Sequence, residues 1–502
     1  MKNVIVLGGG TSGLISALMF KGQYPHFNVK VIASKNIGII GVGEGATEHW
    51  EHFCARISVS LAETLVECGA TLKTAIKFKN WGYPDYLHNT VSALNRVGGE
   101  HYSIYAKIIA DGGTNASIIL PENDLALTSP DWVEGKEQIP CAQFHFNTFK
   151  TNEYLLKKCA ERNIEVIDDI ITDISVDQEG NISSLISDNN TYAGDLFIDC
   201  SGFAKVLMSK LGAKWISYRD NLWLNSAIAF PTEDTDEYPL YTSATAMDAG
   251  WMWNTPVLGR WGNGYVFCDK YINAEQAQAE VEKFLGKKVN IFKTIKFDAG
   301  RIDKFWIKNC IAVGLSGSFV EPLESTAISQ TIVQTFLCMN LLPSWINDKE
   351  SITEIYNTQM DKMCENILDF IALHYVSPRE DTPFWKDLKE GRDDWMTSTL
   401  KDKLNKWTKR LPSNVEFTKY DLFTGDNWIV TMHGMGLITS DIAKREYDLL
   451  DITTKAEVDS IAPSQLNWFE ENKHRLISHK KALEQFIKNY NTYGEIPWLW
   501  PR

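Results

Sequence analysis

Gly8-Gly9-Gly10-Thr11-Ser12-Gly13 has the spacing G-x-G-x-x-G. In that pattern the first glycine permits a tight turn, the second lets backbone approach a pyrophosphate, and the third lets helix and strand pack closely. The amides of Thr11, Ser12 and Gly13, at the start of the helix that should follow, carry the partial positive charge that phosphates need. A second glycine-rich run, Gly41-Val42-Gly43-Glu44-Gly45, would let backbone lie against a planar ligand, with Glu44 as a hydrogen-bonding group. Lys73, Lys77 and Lys79 all occupy odd positions; on a strand they share one face, and periodicity does not choose between them. A partly buried lysine can become a nucleophilic amine near neutral pH. Trp251 and Trp253 are two apart, so a strand would present two indoles side by side on one face, as an ordinary aromatic core pair does.

These groups need elements to hold them. Residues 4–7 read as a buried strand, 13–21 as a helix and 29–33 as a second strand, which makes a βαβ unit around the glycine turn. The apolar runs at 195–199 and 310–314 predict further buried strands, and 222–230 with 264–267 predict a second, antiparallel sheet. From Thr326 the pattern turns helical, with a long helix around 352–374, and beyond Arg379 it stays mainly helical with irregular connections. One part of a dinucleotide site is missing: Ala33 stands where an acidic residue should end the second strand and hold the ribose. Ser34 is the nearest substitute, and a neutral hydroxyl holds a ribose less firmly than a carboxylate, so a loosely bound nucleotide is expected.

Composition excludes several classes. With 502 residues, 44% hydrophobic and 23% charged, the chain is an ordinary globular protein long enough for more than one structural unit. A formal charge of −14 disfavours nucleic acid as partner. No run spans a bilayer and the apolar start reads as a strand, so neither a membrane nor a signal sequence is expected. Nine scattered cysteines without CxxC pairs fit reduced thiols and a cytoplasmic location, and predict no metal. The 17 tryptophans exceed what packing needs.

Gly250-Trp251-Met252-Trp253-Asn254-Thr255-Pro256 is close to W-x-W-x-I-P, with Thr255 in place of isoleucine, and it continues as Val257-Leu258-Gly259-Arg260-Trp261-Gly262-Asn263-Gly264-Tyr265-Val266-Phe267. Asp195-Leu196-Phe197-Ile198-Asp199-Cys200-Ser201-Gly202, Glu321-Pro322-Leu323-Glu324-Ser325-Thr326, and His374-Tyr375 through Thr382-Pro383-Phe384-Trp385 are further, less specific segments of the same kind. Together they resemble the flavin-dependent halogenases, the family that includes the tryptophan halogenases. The similarity runs from residue 1 to about 390 and thins beyond it.

The resemblance implies a mixed α/β fold: a Rossmann-like βαβ domain of the flavin monooxygenase type that binds FAD, an antiparallel sheet, and a mainly helical C-terminal substrate region. Residues 1–390 would form the halogenase core, and 391–502 would pack on it. It implies an oxidoreductase in which reduced FAD and O2 oxidise halide to hypohalous acid, which travels through a tunnel to a lysine beside an aromatic substrate. The family segment F-K-x-x-I-K-F-x-N-W places that lysine first, at Lys73, and its matching acid at Glu324, with Glu321 as the nearest competitor. By the same resemblance Gly8, Gly10, Thr11, Ser12, Gly13, Ser34, Gly43, Glu44, Leu315 and Ile328 would contact FAD. Backbone amides at Thr326 and Ala327 would hold the halide, and Trp251, Trp253, Pro256 and Ser325 would line the wall of the tunnel. The family has Ser-Thr-Gly where Ser325-Thr326-Ala327 stands here; with larger halides easier to oxidise, bromide or iodide is expected over chloride. The clamp that grips free tryptophan looks absent from Tyr86-Leu87-His88-Asn89-Thr90 and from residues 419–428, which points to another electron-rich aromatic. Reduced FAD would come from a separate NAD(P)H:flavin reductase. An aromatic hydroxylase would share the nucleotide turn, and so would a flavin-binding protein without catalysis.

Overall fold

The computed structural model describes residues 2–38, 44–89, 102–113, 143–472, 474 and 477–494. The chain divides into two compact units, each assembled from three stretches: residues 1–70, 146–219 and 297–365 form the first, and 71–145, 220–296 and 366–502 the second.

In the first unit, strand β1 (Asn3–Leu7), helix α1 (Thr11–Gln23) and strand β2 (Asn28–Ala33) form the expected βαβ arrangement. β1 and β2 run parallel, Val4 opposite Val29 and Leu7 opposite Ile32. The strand Leu196–Asp199 joins the other side of β1 in parallel, followed by Cys310–Ala312, while Glu165–Asp168 extends the sheet beyond β2. Strands buried on both faces read as continuous apolar runs without alternation, which is how β1, β2, Leu196–Asp199 and Cys310–Ala312 were legible; Glu165–Asp168 is largely exposed and was not expected. Asp199, which ends the strand Leu196–Asp199, is a carboxylate with no exposure. Its carboxylate accepts N–H groups of Leu207 and Met208 at 2.8 and 2.9 Å and the hydroxyls of Ser201 and Ser316 at 2.6 and 3.1 Å, so the buried acceptor is satisfied. Helix α1 lies along the helix Thr326–Trp345, and hydroxyl pairs fix their register: Ser12 with Thr331 at 3.0 Å and Ser16 with Thr335 at 3.3 Å.

The second unit is built on a seven-stranded sheet in the order Lys293–Lys296, Ser226–Thr232, Arg260–Phe267, Gly250–Val257, Tyr241–Met247, Ala75–Lys79 and Tyr86–Asn89. Neighbours are antiparallel except Tyr241–Met247 and Ala75–Lys79, which pair in parallel with Tyr241 opposite Ala75. That junction brings together strands far apart in sequence, whereas the others include local hairpins. One face of the sheet buries Ile228, Phe230, Met252, Tyr265 and Phe267 against Ala277 and Val281 of the helix Ala274–Leu285. Met252 lies between the two tryptophans in sequence, so by strand alternation Trp251 and Trp253 occupy the opposite face.

The C-terminal stretch is mainly helical as expected, with helices Ser398–Trp407, Gly425–Gly434, Ser440–Asp448, Ile452–Asn472 and His479–Tyr493. Among the described residues no helix is long and apolar enough to cross a membrane, and no cluster of His, Cys, Asp and Glu is arranged to hold a metal ion.

Candidate functional site

The glycine turn in the first unit has the geometry its spacing predicts. Gly8 has φ of +122°, and a β-carbon there would sit 2.1 Å from the Cys200 carbonyl oxygen, so both conformation and space demand glycine. Gly13 lies as close to the Gly8 carbonyl. Gly10 differs: a β-carbon there would meet nothing within 4 Å. Gly10 also caps α1 with extended backbone and no side-chain acceptor, which leaves the first-turn amides facing an open side. A helix start cleared in this way fits the pyrophosphate of a dinucleotide. The Ser12 hydroxyl is committed to Thr331, so the backbone is what Ser12 offers a phosphate.

Two other expected cofactor contacts belong to elements packed on this turn and its helix. Leu315 is half-buried in the turn Gly314–Ser316, and a β-carbon on Gly314 would fall 2.4 Å from Ser12 Oγ. Ile328 is buried in the first turn of the Thr326–Trp345 helix, and the next residue, Ser329, lies 2.5 Å from Thr47 Oγ1. Thr47 is also 2.9 Å from His49 Nδ1, and burial lowers the pKa of that imidazole against the pull of Glu48. Gly43 and the Glu44 side chain lie outside the described residues. Ser34 Oγ accepts the Asn36 N–H at 3.2 Å, a local turn bond. Ala33 lies opposite Asp168 of the neighbouring strand, whose carboxylate accepts the Lys35 N–H at 3.0 Å and pairs with the Lys35 ammonium at 3.6 Å.

The Glu321–Ala327 segment forms a tight turn, Pro322–Glu324, that enters the long helix through Ser325 in the left-handed region at φ +56°. A residue with a β-carbon held there carries about 1–3 kcal/mol of strain, a conformation over-represented at functional sites. The helix then starts with no side-chain cap and no acid in its first turn, an arrangement electrostatically suited to an anion. Ala327 is exposed between buried Thr326 and Ile328. Glu321 and Glu324 are equally buried, so burial does not choose between them.

In the second unit, small residues on the neighbouring strands make room for the tryptophan pair. Trp251 lies between Ala246 and Val266, and Trp253 between Ala244 and Gly264. Their ring centroids are 6.1 Å apart at 54°. The Trp253 indole lies directly over Gly264, where a β-carbon would come within 2.0 Å of the ring.

The lysines are not one strand face. Lys73 sits in the two-residue break between the short strand Thr71–Leu72 and the strand Ala75–Lys79, with its side chain wholly buried. Lys77 is also buried and Lys79 half-buried, and their ammonium groups lie 5.6 and 5.7 Å from the Tyr241 ring centre. Residues 71–74 are tied down one after another. Thr71 Oγ1 donates to the Pro256 carbonyl at 2.7 Å, which joins the lysine segment to the tryptophan strand. The Leu72 N–H donates to His479 Nε2 at 3.1 Å, the Lys73 N–H to Gln143 O at 3.0 Å and the Thr74 N–H to Leu240 O at 2.7 Å.

Two buried histidines complete this region, and sequence reasoning missed both. His145 lies 2.9 Å from Thr71 Oγ1 through Nδ1 and 2.9 Å from Thr242 Oγ1 through Nε2. Because the Thr71 proton goes to Pro256, Nδ1 carries the hydrogen and Nε2 accepts from Thr242. Burial, then the charge of Lys73, then His479 hold this imidazole well below its usual pKa. His479 is pushed down to about 4 by burial, against the carbonyls of Tyr238 and Pro239. The only signal for His145 is its place in Phe144-His145-Phe146, and His479 opens a helix far along the chain, so neither carries a spacing motif.

A parallel-stranded unit with an uncapped glycine turn at the end of its first strand defines a dinucleotide-binding protein. The tryptophan halogenase family pattern matches residues 3–448. The chain is 28% identical to a tryptophan 6-halogenase of Streptomyces toxytricini, over 93% of this chain and 97% of that one. Its fold superposes on a tryptophan halogenase from Shewanella frigidimarina with a TM-score of 0.88 at 23% identity, covering 99% of each chain. A flavin-dependent halogenase from Brevundimonas sp. BAL3 matches with a TM-score of 0.80 at 25% identity, over 97% of this chain and 99% of that one. The chain belongs to the tryptophan halogenase family and is, with it, a flavin-dependent oxidoreductase.

Two outcomes are expected. Gly264→Val should force Trp253 off the sheet, lowering stability by about 1–3 kcal/mol and shifting tryptophan emission; unchanged emission and melting temperature would contradict the packing described. His479 has a folded-state pKa below its ordinary 6.5, so the unfolded chain binds more protons as pH falls. Its stabilisation is therefore complete above about pH 6.5 and declines towards pH 4, by up to roughly 3 kcal/mol, with His145 acting in the same direction. Denaturant midpoints should fall across that window, and fall less in His479→Gln.

Proposed function

We propose that the protein halogenates an electron-rich aromatic small molecule other than free tryptophan, with Lys73 presenting the oxidised halogen to it. The observation that carries this reading is the setting of Lys73: a wholly buried ammonium on a segment whose four residues are each hydrogen-bonded, joined through Pro256 to the tryptophan strand. A buried amine held by its backbone in this way has a fixed position, which a group that presents a reacting atom to a substrate needs.

Reduced FAD and O2, when bound, supply the oxidising equivalent that turns halide into hypohalous acid. The first-turn amides of α1, beside Gly8, Gly10 and Gly13, would hold the FAD pyrophosphate. The amides of Thr326 and Ala327 would hold the halide at the uncapped helix start. Hypohalous acid would then travel through a tunnel whose wall includes Trp251, Trp253 and Pro256. At its end Lys73 Nζ holds the oxidant, by a donated hydrogen bond or as a haloamine, and Glu324 orients it or takes the proton lost from the cationic ring.

Bromide or iodide is favoured over chloride, because the larger halides are easier to oxidise. The exposed Ala327 methyl also changes a halide site that carries glycine elsewhere in the family. The two segments that would grip a free amino acid are packed against each other: His88 Nε2 is 3.2 Å from the Asn427 side-chain amide, and Gly434 lies against the Tyr86 ring. Polar groups paired in this way support a substrate without the amino-acid head group. Reduced FAD is supplied by a separate NAD(P)H:flavin reductase.

The test is incubation of the protein and Lys73→Ala with indole, a flavin reductase and each halide, read by mass spectrometry. The wild type should give brominated or iodinated product, and Lys73→Ala should lose about 10²-fold or more of it while still consuming reduced flavin and releasing trappable hypohalous acid. Hydroxylated product, or full halogenation by Lys73→Ala, would overturn the reading; mainly chlorinated product would overturn the halide preference. With Ala33 in place of the ribose acid and the Ser34 hydroxyl in a local turn, oxidised FAD should bind with a Kd of about 1 μM or weaker, measured by flavin fluorescence quenching.

A further inference from the structure

We propose that His479 is a positioning residue for Lys73, its Nε2 accepting the Leu72 N–H on the side where, among the described residues, no strand pairs with Thr71–Leu72. The inference rests on the reading of Lys73 given above. Thr71–Leu72 pairs antiparallel with Phe144–Phe146, Thr71 opposite His145 and Leu72 opposite Phe144. Along extended backbone, successive N–H groups point to opposite sides. The Lys73 amide turns towards that partner and finds Gln143 O, while those of Leu72 and Thr74 turn away from it. Thr74 is met by Leu240 O. Leu72 is met instead by the imidazole of His479 at 3.1 Å. Both residues are fully buried, so water does not replace that acceptor. A buried N–H left without an acceptor is costly, so losing this one should turn the Thr71–Leu72 peptide, one residue ahead of Lys73, and shift the lysine with it.

His479 is equipped for this task. Accepting at Nε2 requires the hydrogen on Nδ1, and Nδ1 lies 3.3 Å from the Tyr238 carbonyl, which takes it. The residue opens a helix whose tip is anchored on the same segment. Lys480 pairs with Asp234 at 2.8 Å and donates to Thr235 O at 2.5 Å, and its ammonium sits 5.1 Å from the centre of the Tyr238 ring. That segment continues to Leu240, the partner of Thr74. The imidazole is therefore fixed to the same frame as the residue after Lys73. Thr71 is secured separately through His145 and Pro256, so losing the His479 acceptor should loosen the lysine without dissolving the strand.

The experiment compares wild type, His479→Leu and His479→Gln as full-length proteins with reduced FAD, bromide, indole and a hypohalite trap. His479→Leu should lose about 10²-fold in kcat for bromination, the effect of displacing a catalytic group by about 1 Å, with flavin reoxidation and trapped hypobromous acid unchanged. Its KM for indole should stay within about twofold. His479→Gln, whose Oε1 can accept the same N–H, should recover most of the rate. Wild-type bromination by His479→Leu, or a loss that Gln does not rescue, would overturn the positioning role. Should the Leu variant fail to fold, the imidazole nitrogen spectrum of ¹⁵N-histidine-labelled wild type decides: the Nδ1–H tautomer supports the role, and the Nε2–H tautomer overturns it. Lys73→Ala run alongside separates the two readings, since undiminished bromination there removes the lysine's role itself.

Discussion

A primary ammonium taken out of water loses several kcal/mol of hydration, and the site tolerates little further loss from unpaired backbone around it. Lys73 is wholly buried, and each of residues 71–74 has a donor satisfied by a named acceptor. Much of the second unit follows from that constraint. Gln143 just ahead of the strand Phe144–Phe146, the loop carrying Leu240, the tryptophan strand through Pro256 and the helix opened by His479 all converge on one short stretch of chain. Burial holds the pKa of both neighbouring histidines low, so neither adds a charge beside Lys73 at neutral pH.

The parts of the fold that were legible in the sequence are local. The glycine turn could be read because its geometry depends on residues 8–13 and the two strands flanking them. The tryptophan pair could be read because a period of two fixes a face wherever a strand occurs. What the pattern did not carry was the break at residues 73–74, which takes Lys73 out of the strand face shared by Lys77 and Lys79; a two-residue interruption leaves the alternation of residue types intact. Likewise, the strand expected from residue 222 begins at Ser226, since Asn225 is held by its side chain to Asp269 at 2.7 Å. The parallel junction in the second sheet and the histidines 145 and 479 were invisible for one reason. Each depends on contacts between residues far apart in sequence, and no spacing encodes such contacts.

The first unit uses hydroxyl groups where helices more often use apolar ridges. Ser12–Thr331, Ser16–Thr335 and Thr47–Ser329 place three hydroxyl pairs along the Thr326–Trp345 helix, at the end where Ile328 and the uncapped start lie. Each pair is directional, so it sets the register of α1, the turn beneath it and the start of that helix more sharply than shape alone. The glycine turn and the uncapped helix start then belong to one rigid arrangement, and the left-handed Ser325 sits where that arrangement meets the buried glutamates.

The bond from Leu72 to His479 closes a loop of 407 residues. The family pattern ends at residue 448, and His479 lies beyond it. Substitutions in that C-terminal stretch can therefore retune the lysine while every motif shared with the family stays intact, which separates the evolution of rate from the evolution of the cofactor site.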